Sequence, residues 1–247
     1  MTQDSIRAFA NIVRASSDIV FFGGAGVSTE SGLKDYRSPD GIYTAVTEYG
    51  ASPEEILSHD YFYARTEDFY RFYRDFFMGS PQPNAAHYAL AELEKMGKLK
   101  AVITQNIDNL HQIAGSERVF ELHGTTEKYT CPVCGEPYTK QYLRDTTGVP
   151  MCKKCPSPIK PDVVLYGEQL DDSTVSMALD AIARADTLII GGTSLAVYPA
   201  AGFLRYFCGR HLIVINRDET RMDSRADLLF RDSIGQVMQA LMIELKK

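Results

Sequence analysis

Short apolar runs alternate with amphipathic stretches along most of the chain. Residues 19–22, 101–104 and 187–190 and His211–Ile215 are almost unbroken Ile, Val, Leu, Phe or Ala. Runs of that length with no polar alternation predict strands buried on both faces. Residues 163–166 read as a further strand. Between the strands the period changes. Ile6, Phe9, Ala10 and Val13 fall at helical spacing within residues 5–15. Residues 53–78 are dense in aromatics and read as helical. Asn84 follows a Pro-Gln-Pro break and is placed to cap a helix running to about Met96. Residues 173–184, 199–207 and 234–245 complete the helical set. Strands alternating with helices predict an α/β fold with a parallel sheet covered on both faces.

The alternation fails over residues 125–160, which are rich in Thr, Pro, Gly and Lys. Four of the five cysteines lie there, as Cys131-Pro-Val-Cys134 and Cys152-Lys-Lys-Cys155 with seventeen residues between. Paired CxxC turns at this separation read as a tetrahedral zinc site. Gly135 supplies the turn with positive φ that wraps chain around a metal. A nucleic-acid-binding ribbon and a catalytic metal are the alternatives. Four thiolates close the coordination sphere and favour a structural ion. Lys153 and Lys154 are placed to offset its negative charge. Cys208, outside the pattern and near Phe203, Leu204 and Phe207, reads as a buried packing residue.

Composition narrows the classes. The chain has 247 residues, 45% of them hydrophobic, enough for one large or two modest domains. A formal net charge of −6 argues against a general nucleic-acid binder and fits a basic partner such as a lysine-rich peptide. No apolar run reaches the length of a membrane span. The first residues, Met-Thr-Gln-Asp, lack the features of a signal peptide. A cytoplasmic setting is expected, where the thiols stay reduced and available to metal.

Several strands end in polar clusters. Gly23-Gly24-Ala25-Gly26 follows the first, Gln105-Asn106-Ile107-Asp108 the second, Gly191-Gly192-Thr193-Ser194 a later one, and Asn216-Arg217-Asp218 the next. Ligands of open α/β sheets bind at such carboxyl ends. The first loop has Gly24 and Gly26, but Thr29 stands where GxGxxG has its third glycine. A helix is expected after it, although a plain strand-to-helix turn would read the same. Without Gly-Lys-Ser/Thr, a P-loop is excluded. Of the five histidines, His59 and His87 read as surface or packing residues, His111 as the start of a helix, and His211 as the start of a strand. His123, in Glu121-Leu-His-Gly124, directly precedes the cysteine module. Its imidazole could serve as a general base near neutral pH, although position alone favours a structural role.

Taken in order, these segments resemble the sirtuin family of NAD-dependent protein deacylases. Residues 24–32 resemble its GAGxSxxSG loop, and Asp35-Tyr36-Arg37-Ser38 its DFRS element. Thr104-Gln-Asn-Ile-Asp-Asn-Leu-His111, Glu121-Leu-His-Gly124, Tyr166-Gly-Glu168, Gly192-Thr-Ser194 and Asn216-Arg-Asp218 follow in the family's order. The resemblance implies a Rossmann-like domain from residues 1–38, 84–124 and 161–247. It also implies a small domain from a helical insertion, 39–83, and a zinc ribbon, 125–160.

The resemblance further implies that NAD is consumed. The acyl oxygen of an acyl-lysine attacks the nicotinamide ribose, nicotinamide leaves, and O-acyl-ADP-ribose and free lysine result. His123 would be the general base, and Asn106 would position ribose or water. Asp108, with the Ile107 backbone, would hold the nicotinamide carboxamide, and Gln105 a ribose hydroxyl. Gly24, Ala25, Thr29, Asp35, Tyr36, Arg37, Gly192, Thr193 and Ser194 would line the cofactor path. Asn216, Arg217, Asp232 and Ser233 would take its adenine end. An acyl-lysine peptide would add as a strand beside Val164, Leu165, Tyr166, Gly167 and Glu168. Cys131, Cys134, Cys152 and Cys155 would hold one structural Zn2+. Members that remove succinyl or malonyl groups carry Tyr-x-x-Arg in the helical insertion. Here Tyr70 is followed three places on by Tyr73, so deacetylation is expected. A longer-chain deacylase and a mono-ADP-ribosyltransferase on the same scaffold are the alternatives. Partners with nucleic acid or membrane are not expected.

Overall fold

The computed structural model describes residues 1–33 and 46–247. The expected sites at Asp35, Tyr36 and Arg37 lie outside the described residues. In chain order the strands are β1 (Ile19–Gly23), β2 (Leu99–Thr104), β3 (Val119–Glu121), β4 (Gly124–Thr130), β5 (Pro137–Thr139), β6 (Lys160–Val163), β7 (Thr187–Gly191), β8 (His211–Ile215) and β9 (Leu228–Phe230). Six of them form one sheet in the order β3-β2-β1-β7-β8-β9. Every pairing within it is parallel.

The apolar runs were legible because both faces of this sheet are covered. Phe21, Val102, Ile189 and Ile213 point to one face, against Phe9, Leu90 and Val237 of helices Gln3–Ala15, Ala85–Lys95 and Ile234–Leu245. Phe22, Ile103, Ile190 and Val214 point to the other, against Ile182 of helix Asp172–Arg184 and against Phe203 and Leu204. Side chains of this size contribute about 1.5–3 kcal/mol each on full burial. The chain builds outward from β1 to β3, then returns to the far side of β1 for β7. The order therefore reverses between β1 and β7, which opens a crevice at their carboxyl ends.

β5, β4 and β6 form a separate antiparallel sheet. It shares a third core with helices Pro53–Ile56, His59–Ala64 and Thr66–Phe77. Phe69, Tyr70, Phe72 and Tyr73 are buried there with Tyr129, Cys131, Leu143 and Ile159. The Tyr70 hydroxyl donates to the Ile159 carbonyl. Arg74 donates to the carbonyls of Leu143 at 2.7 Å and Gly148 at 2.9 Å. The aromatic helices thus hold the ribbon.

Five expectations change. The strand read at 163–166 is β6, Lys160–Val163. Beyond it Val164 N–H bonds to the His123 carbonyl at 2.9 Å, and Tyr166 N–H to Leu57 at 2.9 Å, so the segment leaves the ladder for the helical insertion. Residues 199–207 form a 3-10 helix, Ala200–Tyr206. The first glycine loop continues as two 3-10 turns, Ala25–Val27 and Thr29–Ser31, where an α-helix was expected. The short strands β3, β4, β5 and β9 were not foreseen. Cys208 is exposed, because the chain turns out of the 3-10 helix after buried Phe207.

Gly124 joins the two sheets. Its φ is 75°, and a Cβ there would lie 2.0 Å from the Asp162 carbonyl oxygen. Gly124→Ala is expected to cost about 2–4 kcal/mol, from left-handed strain plus displacement of β6. A urea midpoint lowered at unchanged slope would show it, and a wild-type midpoint would refute it.

Candidate active site

The loops after β1 and β7 meet backbone to backbone at the crevice. Gly26 N–H donates to the Gly192 carbonyl at 2.8 Å. A Cβ on Gly26 would lie 2.8 Å from Gly192 Cα, and one on Gly192, where φ is 58°, 2.3 Å from Val27 N. A Cβ on Gly24 would lie 2.9 Å from Thr193 Cβ. These glycines are therefore required by one another as well as by any ligand. Above them lies a cavity of about 560 Å³. Ala25, Thr29, Thr193, Ser194, Asn216, Arg217, Asp232 and Ser233 line it, so the polar ends of three strands and the final turn converge.

A second cavity of about 940 Å³ shares Ala25 and Gln105 with the first. Asn106, Ile107, Asp108 and His123 line its inner end, and Val164 through Glu168 one lip. His123 Nδ1 is 2.9 Å from the Gln105 carbonyl oxygen. A carbonyl can only accept, so Nδ1 carries the proton of this bond, and a lone pair, when the ring has one, is on Nε2. Asn106 is buried, its N–H donating to Thr104 Oγ1 at 3.0 Å and its amide to Ser28 Oγ at 3.0 Å. Ser28 in turn donates to Asp108 Oδ2 at 2.6 Å, and Leu110 N–H donates to Asp108 Oδ1 at 3.0 Å. Both carboxylate oxygens of Asp108 are thereby oriented. Ser28 was not singled out from the sequence. Its place in the glycine loop gave no sign that it bridges to the next strand end.

The Ile107 carbonyl accepts both the N–H and the hydroxyl of Thr126, each at 3.0 Å. The ribbon strand β4 is in this way tied directly to the polar loop. Behind that loop lie two buried histidines, His87 and His111, with ring centroids 4.7 Å apart. Burial pushes His111 down to about 3 and His87 down to about 4, with Asp108 acting against the shift at His87. Both rings are neutral at neutral pH. His87 Nδ1 accepts from Asn84 N–H at 3.2 Å and helps to start helix Ala85–Lys95, a role its spacing did not reveal.

The cysteine cluster fits the expected ion. All four Sγ atoms lie within 4.8 Å of one another. The pairs Cys131–Cys155 and Cys134–Cys152 are 3.4 and 3.6 Å apart. Tetrahedral Zn–S bonds of about 2.3 Å require S···S separations near 3.8 Å. Four sulfurs leave no place for water, so the site is structural in kind. Of the two lysines expected to offset the thiolate charge, Lys154 does feel the charges of Cys134 and Cys152, although its nearest partner is a carboxylate. Lys154 Nζ pairs with Glu136 at 2.5 Å, and Lys153 Nζ sits over the Tyr142 ring. Cys152 Sγ instead receives the Tyr138 hydroxyl at 3.1 Å and Lys154 N–H at 3.3 Å.

Comparison with known proteins follows this geometry. A sequence model described as the Sir2 family matches residues 24–199. The chain belongs to the Sir2 family. A relative from Clostridium acetobutylicum, an NAD-dependent protein deacetylase, is 52% identical over 240 residues, covering 96% of this chain and 98% of its own. A sirtuin structure concerned with substrate affinity superposes with a TM-score of 0.89 at 38% identity, covering 99% of each chain. A Sir2 structure with a p53 peptide and NAD+ gives a TM-score of 0.84 at 37% identity, covering 97% of this chain and 98% of its own. The six-stranded parallel sheet and the four-cysteine cluster of this Sir2-family chain are the Rossmann-like and zinc-site features that the sequence led one to expect.

Proposed function

We propose that this Sir2-family chain is an NAD-dependent protein lysine deacetylase, and that the residues named below carry the reaction. The observation behind the proposal is His123, with Nδ1 anchored on Gln105, at the inner end of a cavity that opens toward a peptide-sized lip. NAD, when bound, supplies an activated ribose carbon and the hydroxyl that accepts the acyl group. His123 Nε2 takes the proton from that hydroxyl. Asn106 positions ribose or water, its amide fixed by Ser28. Asp108 accepts from the nicotinamide carboxamide, with Ile107 beside it. Gln105 reaches a ribose hydroxyl from its place beside Thr193. The smaller cavity takes the remainder: pyrophosphate on Gly24, Ala25, Thr29, Gly192, Thr193 and Ser194, and the adenosine end by Asn216, Arg217, Asp232 and Ser233. Asp35, Tyr36 and Arg37 belong to the same set by resemblance.

The peptide lies between Val164–Glu168 and the segment after Gly192. Leu165 N–H is already held by Glu168 Oε2 at 2.8 Å, and Tyr166 N–H by Leu57. Those two N–H groups are thus not open to strand pairing, which narrows the edge to the remaining N–H and carbonyl groups of the run. Tyr70, Arg71 and Arg74 are absent from the cavity lining. Arg74 is spent on ribbon carbonyls, and Arg71 lies over the Tyr49 ring, 5.1 Å from its centroid, so neither of these guanidiniums awaits a succinyl carboxylate. Leu57, Phe76 and Phe77 extend the cavity with apolar wall, which favours a longer-chain deacylase as the second reading.

The domain division keeps the bounds implied by the resemblance, although Leu165 packs in the third core and β4 and β6 cross the bounds at 124 and 161. Residues 39–83 and 125–160 make the small domain, supported by their shared aromatic core, and residues 1–38, 84–124 and 161–247 the Rossmann-like one. No helix among the described residues is long and apolar enough to cross a membrane. A cytoplasmic setting that keeps the four thiols reduced, and no direct nucleic-acid partner, complete the proposal.

Mass spectrometry of an acetyl-lysine peptide incubated with the protein and NAD tests the reading. Free lysine, nicotinamide and O-acetyl-ADP-ribose are expected in equal amounts, with a succinyl peptide turned over at least about tenfold more slowly. ADP-ribose attached to protein, with no deacylated peptide, would replace it with the mono-ADP-ribosyltransferase.

A further inference from the structure

Residues 197–199 line the larger cavity, as do Tyr166 and Gly167. Tyr198 stands there 64% exposed. Arg221, from the loop after β8, lays its guanidinium over the Tyr198 ring at 5.3 Å from the centroid. Its Nη1 also donates to the Tyr198 hydroxyl. Among the described residues no carboxylate lies within 4.0 Å of this guanidinium, whereas nearby Arg231 is held by Asp223 at 2.5 Å. Glu168, which also lines the cavity, is already paired with Lys160 at 2.9 Å. Among the described residues Arg221 is thus a cation beside the larger cavity with no carboxylate partner, on a chain whose net charge is −6.

We propose that Arg221, held on Tyr198, selects acyl-lysine segments bearing an Asp or Glu within three residues of the acyl-lysine. The proposal rests on the deacetylase reading. An extended peptide rises about 3.3 Å per residue, so three residues cover about 10 Å on either side of the acyl-lysine. A guanidinium matches a carboxylate in two parallel hydrogen bonds, and one already stacked on a ring loses less freedom in making them. The pair is solvent-exposed, so the effect is a modest one on KM, about two- to fivefold, and weaker at high salt. Arg221 does not touch the reacting atoms, so kcat is unchanged. Local charge at the lip here opposes the overall charge, which on its own would favour basic flanks.

Steady-state kinetics on a neutral acetyl-lysine peptide, with single Glu, Gln or Lys residues placed at each of the three positions on either side, test this. Wild type is expected to show a lowered KM for Glu over Gln at one or two positions. Arg221→Gln should lose that preference while keeping its kcat and KM for the neutral peptide, which also shows that the variant is folded. Arg221→Glu should turn the preference toward Lys at the same positions. Equal KM for Glu and Gln peptides in wild type, or a Glu preference that survives in Arg221→Gln, would overturn the inference and leave the deacetylase reading standing. Failure of every acetyl peptide to react with NAD would instead overturn that reading.

Discussion

His123→Ala is expected to lower deacetylation by about 10²- to 10⁴-fold, the usual worth of a positioned general base, while NAD still binds. The size follows from the geometry of one ring. Nδ1 is committed to the Gln105 carbonyl, so the proposed base is Nε2. Alanine removes that base and leaves the carbonyl of Gln105 with one fewer donor. A lost neutral hydrogen bond costs about 1 kcal/mol, far too little to unfold a domain of ordinary stability. Folding and cofactor affinity should therefore survive a change that removes most of the rate. Product formation by mass spectrometry, paired with the NAD-induced rise in melting temperature, separates the two. Full deacetylation by the variant would refute the role given to His123.

Removing the metal, by chelation or by Cys131→Ala, is expected to have the larger effect on the fold. About one zinc per chain should fall to near none, and deacetylation should be lost with it. Structural zinc sites in small peptides supply about 10–16 kcal/mol, as much as the whole stability of a typical domain. Cys131 is buried in the third core beside Tyr129 and the aromatic helix, so its loss reaches beyond the cluster. Thr126 carries the damage further, since its two bonds hold the Ile107 carbonyl next to Asn106 and Asp108. Metal analysis together with limited proteolysis should show the first new cuts within residues 125–160. Undiminished activity in fully metal-free protein would exclude this coupling.

What the sequence disclosed, and what it hid, follows burial and contact range. β1 and β7 were plain because strands covered on both faces need apolar residues at every position. The four cysteines were plain because a metal cluster is written in local spacing. β4, with Gly124, Thr125, Thr126, Glu127 and Lys128, carries no such pattern, because the ribbon relies on metal and on borrowed aromatic side chains for its core. Cys208 was misplaced because a helical period was extended past Tyr206, the end of the 3-10 helix, two residues before Cys208. Asn106, Asp108 and His123 were legible through ordered motifs. Ser28 was not, because its partners lie some eighty positions away and only the sheet order brings them together. The neutrality of His87 and His111 was hidden for the same reason.

Gln105 bears on how the two ligands find the protein. Its N–H is fixed on the Gly23 carbonyl, its amide on Thr193 Oγ1 at 3.1 Å, and its own carbonyl on the base. One side chain and one peptide unit thereby span both cavities, and a shift of Thr193 as nucleotide settles reaches the imidazole through a single residue. Where occupancy of one cavity alters affinity at the other, linkage makes the factor identical in both directions. Peptide would then tighten nucleotide by whatever ratio nucleotide tightens peptide, and each substrate's dissociation constant would be read at a stated level of the other.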